Sequence, residues 1–188
     1  DLDKLVDEGL LEKEEILEYN WGTDESEIDY AALHQNRCKI LQKAFERFDT
    51  NAQEFHDFVK KQSEWLEQYA LFMTLKTDNL YKNWSEWSSE YRNTQTVALE
   101  KYQKKNYNTI TFWKFCQYKF FEQWEDLKNY ANSKGIYIIG DISFYVGYDS
   151  VDVWAERQLF MMSANDTPEY VAAAGPDKYS ESGQVWGN

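Results

Sequence analysis

Two stretches of the chain hold side chains whose types and spacing could do chemistry. The first is Ile136-Tyr137-Ile138-Ile139-Gly140-Asp141, a β-branched and aromatic run that ends in glycine and a carboxylate. A run of this kind behind a long helix and a tight glycine turn has the pattern of a buried parallel strand. A carboxylate at the C-terminal end of such a strand lies on the face where barrel enzymes build their active sites. The same aspartate can equally cap the loop that follows, and the pattern leaves both readings open. The second stretch, residues 174–188, is rich in Gly, Ser and Asp and carries Tyr179 and Trp186. Carboxylates and amides such as Gln184 pair with hydroxyl groups, and an indole packs on the apolar face of a pyranose ring, so the mixture suits sugars. A disordered tail is the plainer alternative.

Other reactive residue types lead to less. His34 and His56 stand alone, without Cys, Asp or Glu at ligand spacing, so no metal site is expected. Cys38 and Cys116 lie far apart without a partner pattern and read as free, buried thiols of a reducing compartment. The sequons at Asn83 and Asn165 then carry no meaning. Charge removes another class: 33 acidic against 20 basic residues give a net of -13, a surface that repels phosphate backbones. No apolar run approaches the roughly 18 residues of a membrane span, and Asp1-Leu2-Asp3-Lys4 does not open a signal peptide. The expectation is a cytoplasmic protein that binds neither nucleic acid nor membrane.

The elements that position these stretches are mainly helical. Residues 1–134 contain two glycines and no proline, whereas residues 135–188 contain six glycines and both prolines. Turns draw on those residues, so the first part should be long helices and the second loop-rich. The charge is uneven as well: residues 1–30 hold twelve acids and two lysines, which reads as a solvated acidic face. Periodicity predicts a helix from Asp29 to Phe48 and a longer one from Asn51, through Phe55, Phe58, Gln62, Trp65, Tyr69, Phe72 and Lys76. Asn51 followed by Glu54 fits a capping box. A third helix, 109–134, should bury Ile110, Trp113, Cys116, Phe120, Trp124, Leu127 and Ala131 and stop at Gly135. Residues 82–93, rich in Asn, Ser and Trp, read as a loop, followed by a weaker helix near 95–105. A short helix capped by Asp149 or Ser150 should turn Val151, Trp154 and Leu159 inward. The aromatic stripes are read as core rather than as a ligand platform.

At the second half of the chain a resemblance enters. The run Gly140-Asp141-Ile142-Ser143-Phe144-Tyr145-Val146-Gly147-Tyr148-Asp149-Ser150-Val151-Asp152-Val153-Trp154-Ala155 closely resembles a signature of the 4-alpha-glucanotransferases, also called amylomaltases or disproportionating enzymes. Pro176-Asp177-Lys178-Tyr179-Ser180-Glu181-Ser182-Gly183-Gln184-Val185-Trp186-Gly187-Asn188 resembles a second one, at the family's spacing. Weaker likeness runs through Leu5-Val6-Asp7-Glu8-Gly9-Leu10-Leu11, Asp29-Tyr30, Lys43-Ala44-Phe45 and Phe120-Phe121-Glu122-Gln123-Trp124. The family usually has proline where Ser143 stands, and two prolines where this chain has Gly175-Pro176.

The resemblance implies a (β/α)8 TIM-barrel parent with large helical insertions. Residues 1–134 would be such an insertion. Residues 135–188 would be a barrel strand, its following helix and an active-site loop, the rest of the barrel being the partner. The family moves α-1,4-glucan segments between malto-oligosaccharides with retention, releasing or using maltose and glucose, and needs no cofactor. Retention requires a carboxylate nucleophile and an acid/base carboxyl about 5 Å apart. The family's Arg-Ile-Asp, Ala-Glu-Asp and Thr-His-Asp motifs that supply its catalytic carboxylates do not occur in these 188 residues, so no catalytic residue is expected here. Asp141 would hold the glucose unit beside the cleaved bond. Asp177, Tyr179 and Trp186 would belong to the loop over the acceptor groove, with Gln184 beside it. The alternative is a free-standing helical module that binds a partner protein.

Overall fold

A computed structural model describes residues 1–22, 26–142 and 145–185. The acidic lead-in folds into two short helices, α1 (Leu2–Asp7) and α2 (Lys13–Leu17). Part of its charge is engaged, which corrects the expectation of a merely solvated face. Glu15 accepts the Glu12 N–H at 2.9 Å and takes both guanidinium nitrogens of Arg47, at 2.6 and 3.0 Å. Those hydrogen bonds hold the Glu15 carboxyl at about 2, well below the usual range.

The helix α3 (Tyr30–Arg47) starts where expected, because the Asp29 carboxylate accepts the Ala32 N–H at 2.9 Å and satisfies a donor the helix leaves unpaired. The long helix expected next is two, α4 (Gln53–Lys61) and α5 (Ser63–Asp78). The Asn51–Glu54 capping box does not form. Asp49 takes the Asn51 N–H at 2.9 Å, and Ala52 occupies the cap position. Residues 82–93 are not a plain loop: they contain a 3-10 turn, Trp84–Glu86, and the one-turn helix α6 (Ser89–Arg92). Then come α7 (Thr96–Lys105) and α8 (Tyr107–Ser133), close to the expected bounds. Gly135, at φ +76°, stops α8: its N–H reaches Asn132 O and that of Ile136 reaches Ala131 O, both at 3.0 Å. This paired closure needs a left-handed residue at that position, hence glycine. The remaining elements are α9 (Val151–Ala155), a 3-10 turn at Arg157–Leu159, and a two-residue antiparallel pair, β1 (Ala173–Ala174) with β2 (Gln184–Val185).

The strand expected at Ile136–Asp141 is not formed. A parallel strand exists only through hydrogen bonds to neighbours on its edges, and none of the described residues pairs with this run. Ile139 is 95% exposed and Tyr137 81%. The chain is mainly helical.

It folds into two compact units. One comprises residues 1–63 and 111–137, the other residues 64–110 and 138–188. The first has an aromatic core: Phe48 packs on Phe115 at 4.9 Å and on Phe55 at 5.3 Å, and Phe45 lies on Phe112 at 5.7 Å. Ile40, Ala44 and Phe115 are wholly buried there. Lys119, itself buried, ends on Glu8 at 2.7 Å and Glu122 at 2.8 Å. The second core is built from Leu66, Ala70, Leu75, Trp84, Trp87, Val153 and Trp154. Among the described residues no helix is long and apolar enough to cross a membrane.

Several inward assignments fail. Phe120, Trp124 and Leu127 are exposed; with Trp21, Leu33 and Leu41 they line an open groove of about 820 Å³ in the first unit. Periodicity finds the apolar face of a helix but not what covers it. Leu159 is exposed as well, because the chain leaves α9 for a 3-10 turn and the helical phase is lost.

Candidate functional site

The second unit carries Asp141, Asp177, Tyr179 and Gln184, the described residues singled out for sugar contact. Its stretch from Tyr148 onward is fixed by bonds that reach back to α5 and to the 3-10 turn at Trp84. Ser150 caps α9, its hydroxyl accepting the Val153 N–H at 3.3 Å. Asp149, the other cap candidate, is taken up elsewhere: one oxygen accepts from the Lys76 ammonium and the other from the Trp84 N–H at 3.3 Å. Trp84 donates its indole N–H to Tyr148 O at 2.8 Å and lies on the Tyr148 ring at 5.2 Å. Arg157 stacks over the Trp84 ring at 4.6 Å and binds Asp166 at 2.8 Å. The Tyr148 hydroxyl donates to the Asp166 carbonyl. Trp154 packs against Phe72 and Trp87 and gives its N–H to Tyr91 O at 2.9 Å. Each buried indole here has found an acceptor, as burial of a polar atom demands.

Asp141 stands upstream of this frame, on the exposed run 136–142. Its Oδ1 accepts the N–H of the adjacent Ile142 at 2.8 Å, and the residue is exposed. Asp177, Tyr179 and Gln184 are gathered on a separate feature, the β1–β2 hairpin. There Ala173 pairs with Val185 and Ala174 with Gln184. The Asp177 carboxylate accepts the N–H groups of Tyr179 and Ser180 at 2.8 and 2.9 Å and closes the tip as an Asx turn. Gly183 lets the hairpin shut: it sits at φ +73°, and a Cβ there would meet Ala174 O at 2.6 Å. Tyr179 is 81% exposed, with the Lys178 ammonium over its ring at 4.6 Å. Trp186, like Ser143, lies outside the described residues.

The exposed groups are thus two carboxylates, a phenol and an amide. They can give and take hydrogen bonds with a hydroxyl-rich ligand. Among the described residues no cluster of three or more His, Cys, Asp or Glu is arranged to hold a metal ion. The cysteines are free, and burial pushes the Cys116 thiol up to about 12, too high for a reactive thiolate. Sequence reasoning missed Lys76, Trp84, Tyr148, Arg157 and Asp166, which hold the frame. One signal was present: Lys76 falls on the apolar stripe of its helix, and a buried ammonium requires a carboxylate and carbonyls somewhere else in the chain.

Comparison with known proteins gives a consistent result. A family model described as 4-alpha-glucanotransferase matches residues 1–188. A 4-alpha-glucanotransferase of Clostridium butyricum is 38% identical over all of this chain and 39% of its own length. The chloroplastic/amyloplastic 4-alpha-glucanotransferase of Solanum tuberosum is 33% identical over all of this chain and 33% of its own. Among solved structures, an amylomaltase from Streptococcus agalactiae in complex with acarbose superposes with a TM-score of 0.91 at 35% identity, covering 100% of this chain and 39% of that one. The chain therefore spans between a third and two fifths of the length of these relatives.

Proposed function

Given that the chain belongs to the 4-alpha-glucanotransferase family, we propose that it is a substrate-binding portion of an enzyme that transfers α-1,4-glucan segments between malto-oligosaccharides. The observation that carries this reading is the family match along all 188 residues, together with the TM-score of 0.91 to the amylomaltase. A free-standing interaction module does not account for a match of that extent.

In this reading the parent is a (β/α)8 barrel, with residues 1–134 as a helical insertion and residues 135–188 as its strand, helix and active-site loop. The parent uses double displacement: a carboxylate attacks the anomeric carbon, a second carboxyl protonates the leaving sugar, and the acceptor hydroxyl replaces the enzyme with retained configuration. Both groups belong to parts of the parent beyond this chain. These residues bind and orient. The Asp141 carboxylate accepts hydrogen bonds from hydroxyls of the glucose unit next to the scissile bond. Asp177, Tyr179, Gln184 and Trp186 line the acceptor groove. The substrates and products are malto-oligosaccharides, maltose and glucose, no cofactor is called for, and the location is cytoplasmic.

Incubation of the full-length protein with maltotriose tests this. The expected products are glucose and longer maltodextrins, and Asp141→Ala should slow their formation at least about tenfold, as loss of substrate orientation does. No transfer by the full-length protein overturns the reading; an unchanged rate in the variant overturns the role of Asp141.

A further inference from the structure

Lys76 is 8% exposed, at the end of α5, and its ammonium is fully engaged. It donates to the Tyr81 carbonyl at 3.3 Å, to the Lys82 carbonyl at 2.9 Å and to Asp149. The two carbonyls belong to an unusual turn. Leu80 and Tyr81 lie consecutively at φ +54° and +58°, where side chains with a Cβ are disfavoured, and neither is glycine, asparagine or aspartate. Strained backbone of this kind persists only where the surroundings over-determine it. The lysine does so, and the turn delivers Trp84, wholly buried, whose N–H and indole N–H bind Asp149 and Tyr148 O.

One buried cation therefore joins a strained turn to Asp149 and, through Trp84, to Tyr148. Tyr148 extends the connection, since its hydroxyl donates to the carbonyl of Asp166, itself at φ +60°. A burial cost of this size is not required by packing: an apolar side chain at position 76 would fill the same space without desolvating an ion. What an apolar residue cannot do is bind two carbonyls and a carboxylate from different parts of the chain at once.

We propose that Lys76 is a positioning residue for transfer: through Asp149 and the Trp84–Tyr148 contact it anchors the chain at residues 148 and 149, seven and eight positions beyond Asp141. This rests on the substrate role of Asp141 given above. Lys76 touches no substrate in this scheme and acts only through the backbone it holds.

The test is a double-mutant cycle in the full-length enzyme, with kcat and KM measured on maltotriose at a temperature where near-UV circular dichroism shows every variant folded. Lys76→Met is expected to lower kcat/KM about tenfold to a hundredfold, the scale of a small misplacement of a binding group. Lys76→Arg, which keeps the charge and the donors, should recover part of that loss. In an Asp141→Ala background, Lys76→Met should cost much less, because coupled residues are not additive. If Asp141→Ala itself has no effect, the substrate role of Asp141 fails. If Asp141→Ala is impaired but Lys76→Met lowers only the melting temperature, or lowers kcat/KM equally in both backgrounds, the positioning role alone is overturned.

Discussion

The two compact units use different means to hold their chains. In the first, helices with regular apolar stripes meet ring to ring: Phe45, Phe48, Phe55, Phe112, Phe115 and Tyr118 touch at centroid distances of 4.9 to 5.9 Å. Backbone polar groups are satisfied inside the helices, so apart from the buried Lys119, which ends on Glu8 and Glu122, the core buries chiefly apolar rings. In the second, short turns and irregular segments converge on three tryptophans, each donating its indole N–H to a main-chain carbonyl: Trp84 to Tyr148, Trp87 to Lys82 and Trp154 to Tyr91. There the side chains do the hydrogen bonding that regular structure does elsewhere. The difference teaches that a site built on irregular backbone needs polar side chains inside its core, because the loops bring unpaired carbonyls with them.

Four substitutions probe this contrast. The largest effect is expected in the ring core. Phe115→Ala removes a wholly buried ring and should lower stability by about 3–5 kcal/mol in a urea titration followed by far-UV circular dichroism. Trp84→Phe tests the other unit: it keeps an aromatic ring but strands the Tyr148 carbonyl and leaves Arg157 a smaller face, at a cost of about 2 kcal/mol. A loss as large as that of Phe115→Ala would mean that Trp84 acts chiefly by volume. Gly183→Ala forces a left-handed alanine against Ala174 O; about 1–2 kcal/mol of strain should open the hairpin, seen as faster amide exchange at Gln184 with the first unit unchanged. The smallest effect is electrostatic. Arg47 depresses the Glu15 carboxyl, so that pair stabilises the fold above the ordinary carboxylate range and is lost as pH falls from about 4.5 toward 2. Wild type should therefore melt above Glu15→Gln at pH 7, with the gap closing by pH 2.

Much of the first unit was legible because its physics is periodic. The start of α3 at Asp29, most of α8 and the Gly135 stop follow from residue types at short spacings. Where reading failed, a competing partner was the reason. Asp49 took the N–H meant for the Asn51 box; of the two cap candidates for α9, Lys76 holds Asp149 and Ser150 is the cap, within the expectation. The run 136–141 failed as a strand because a strand requires neighbours, and its own sequence cannot supply them. Of the candidate site, residue types were legible and arrangement was not. Asp177, Tyr179 and Gln184 share a hairpin, whereas Asp141 stands on its own segment.

The sequence by itself determined where α3, α7 and most of α8 run and, through its two signatures, the family to which the chain belongs. Those are local properties, set by side-chain chemistry and by spacings of a few residues. Tertiary structure alone decided that Trp84 and Trp87 are core rather than loop, that Phe120 and Trp124 face an open groove, and that a lysine of α5 grips the chain beyond Asp141. Burial and long-range pairing depend on what else arrives at the same place, and residues 73 positions apart meet only when the fold brings them together.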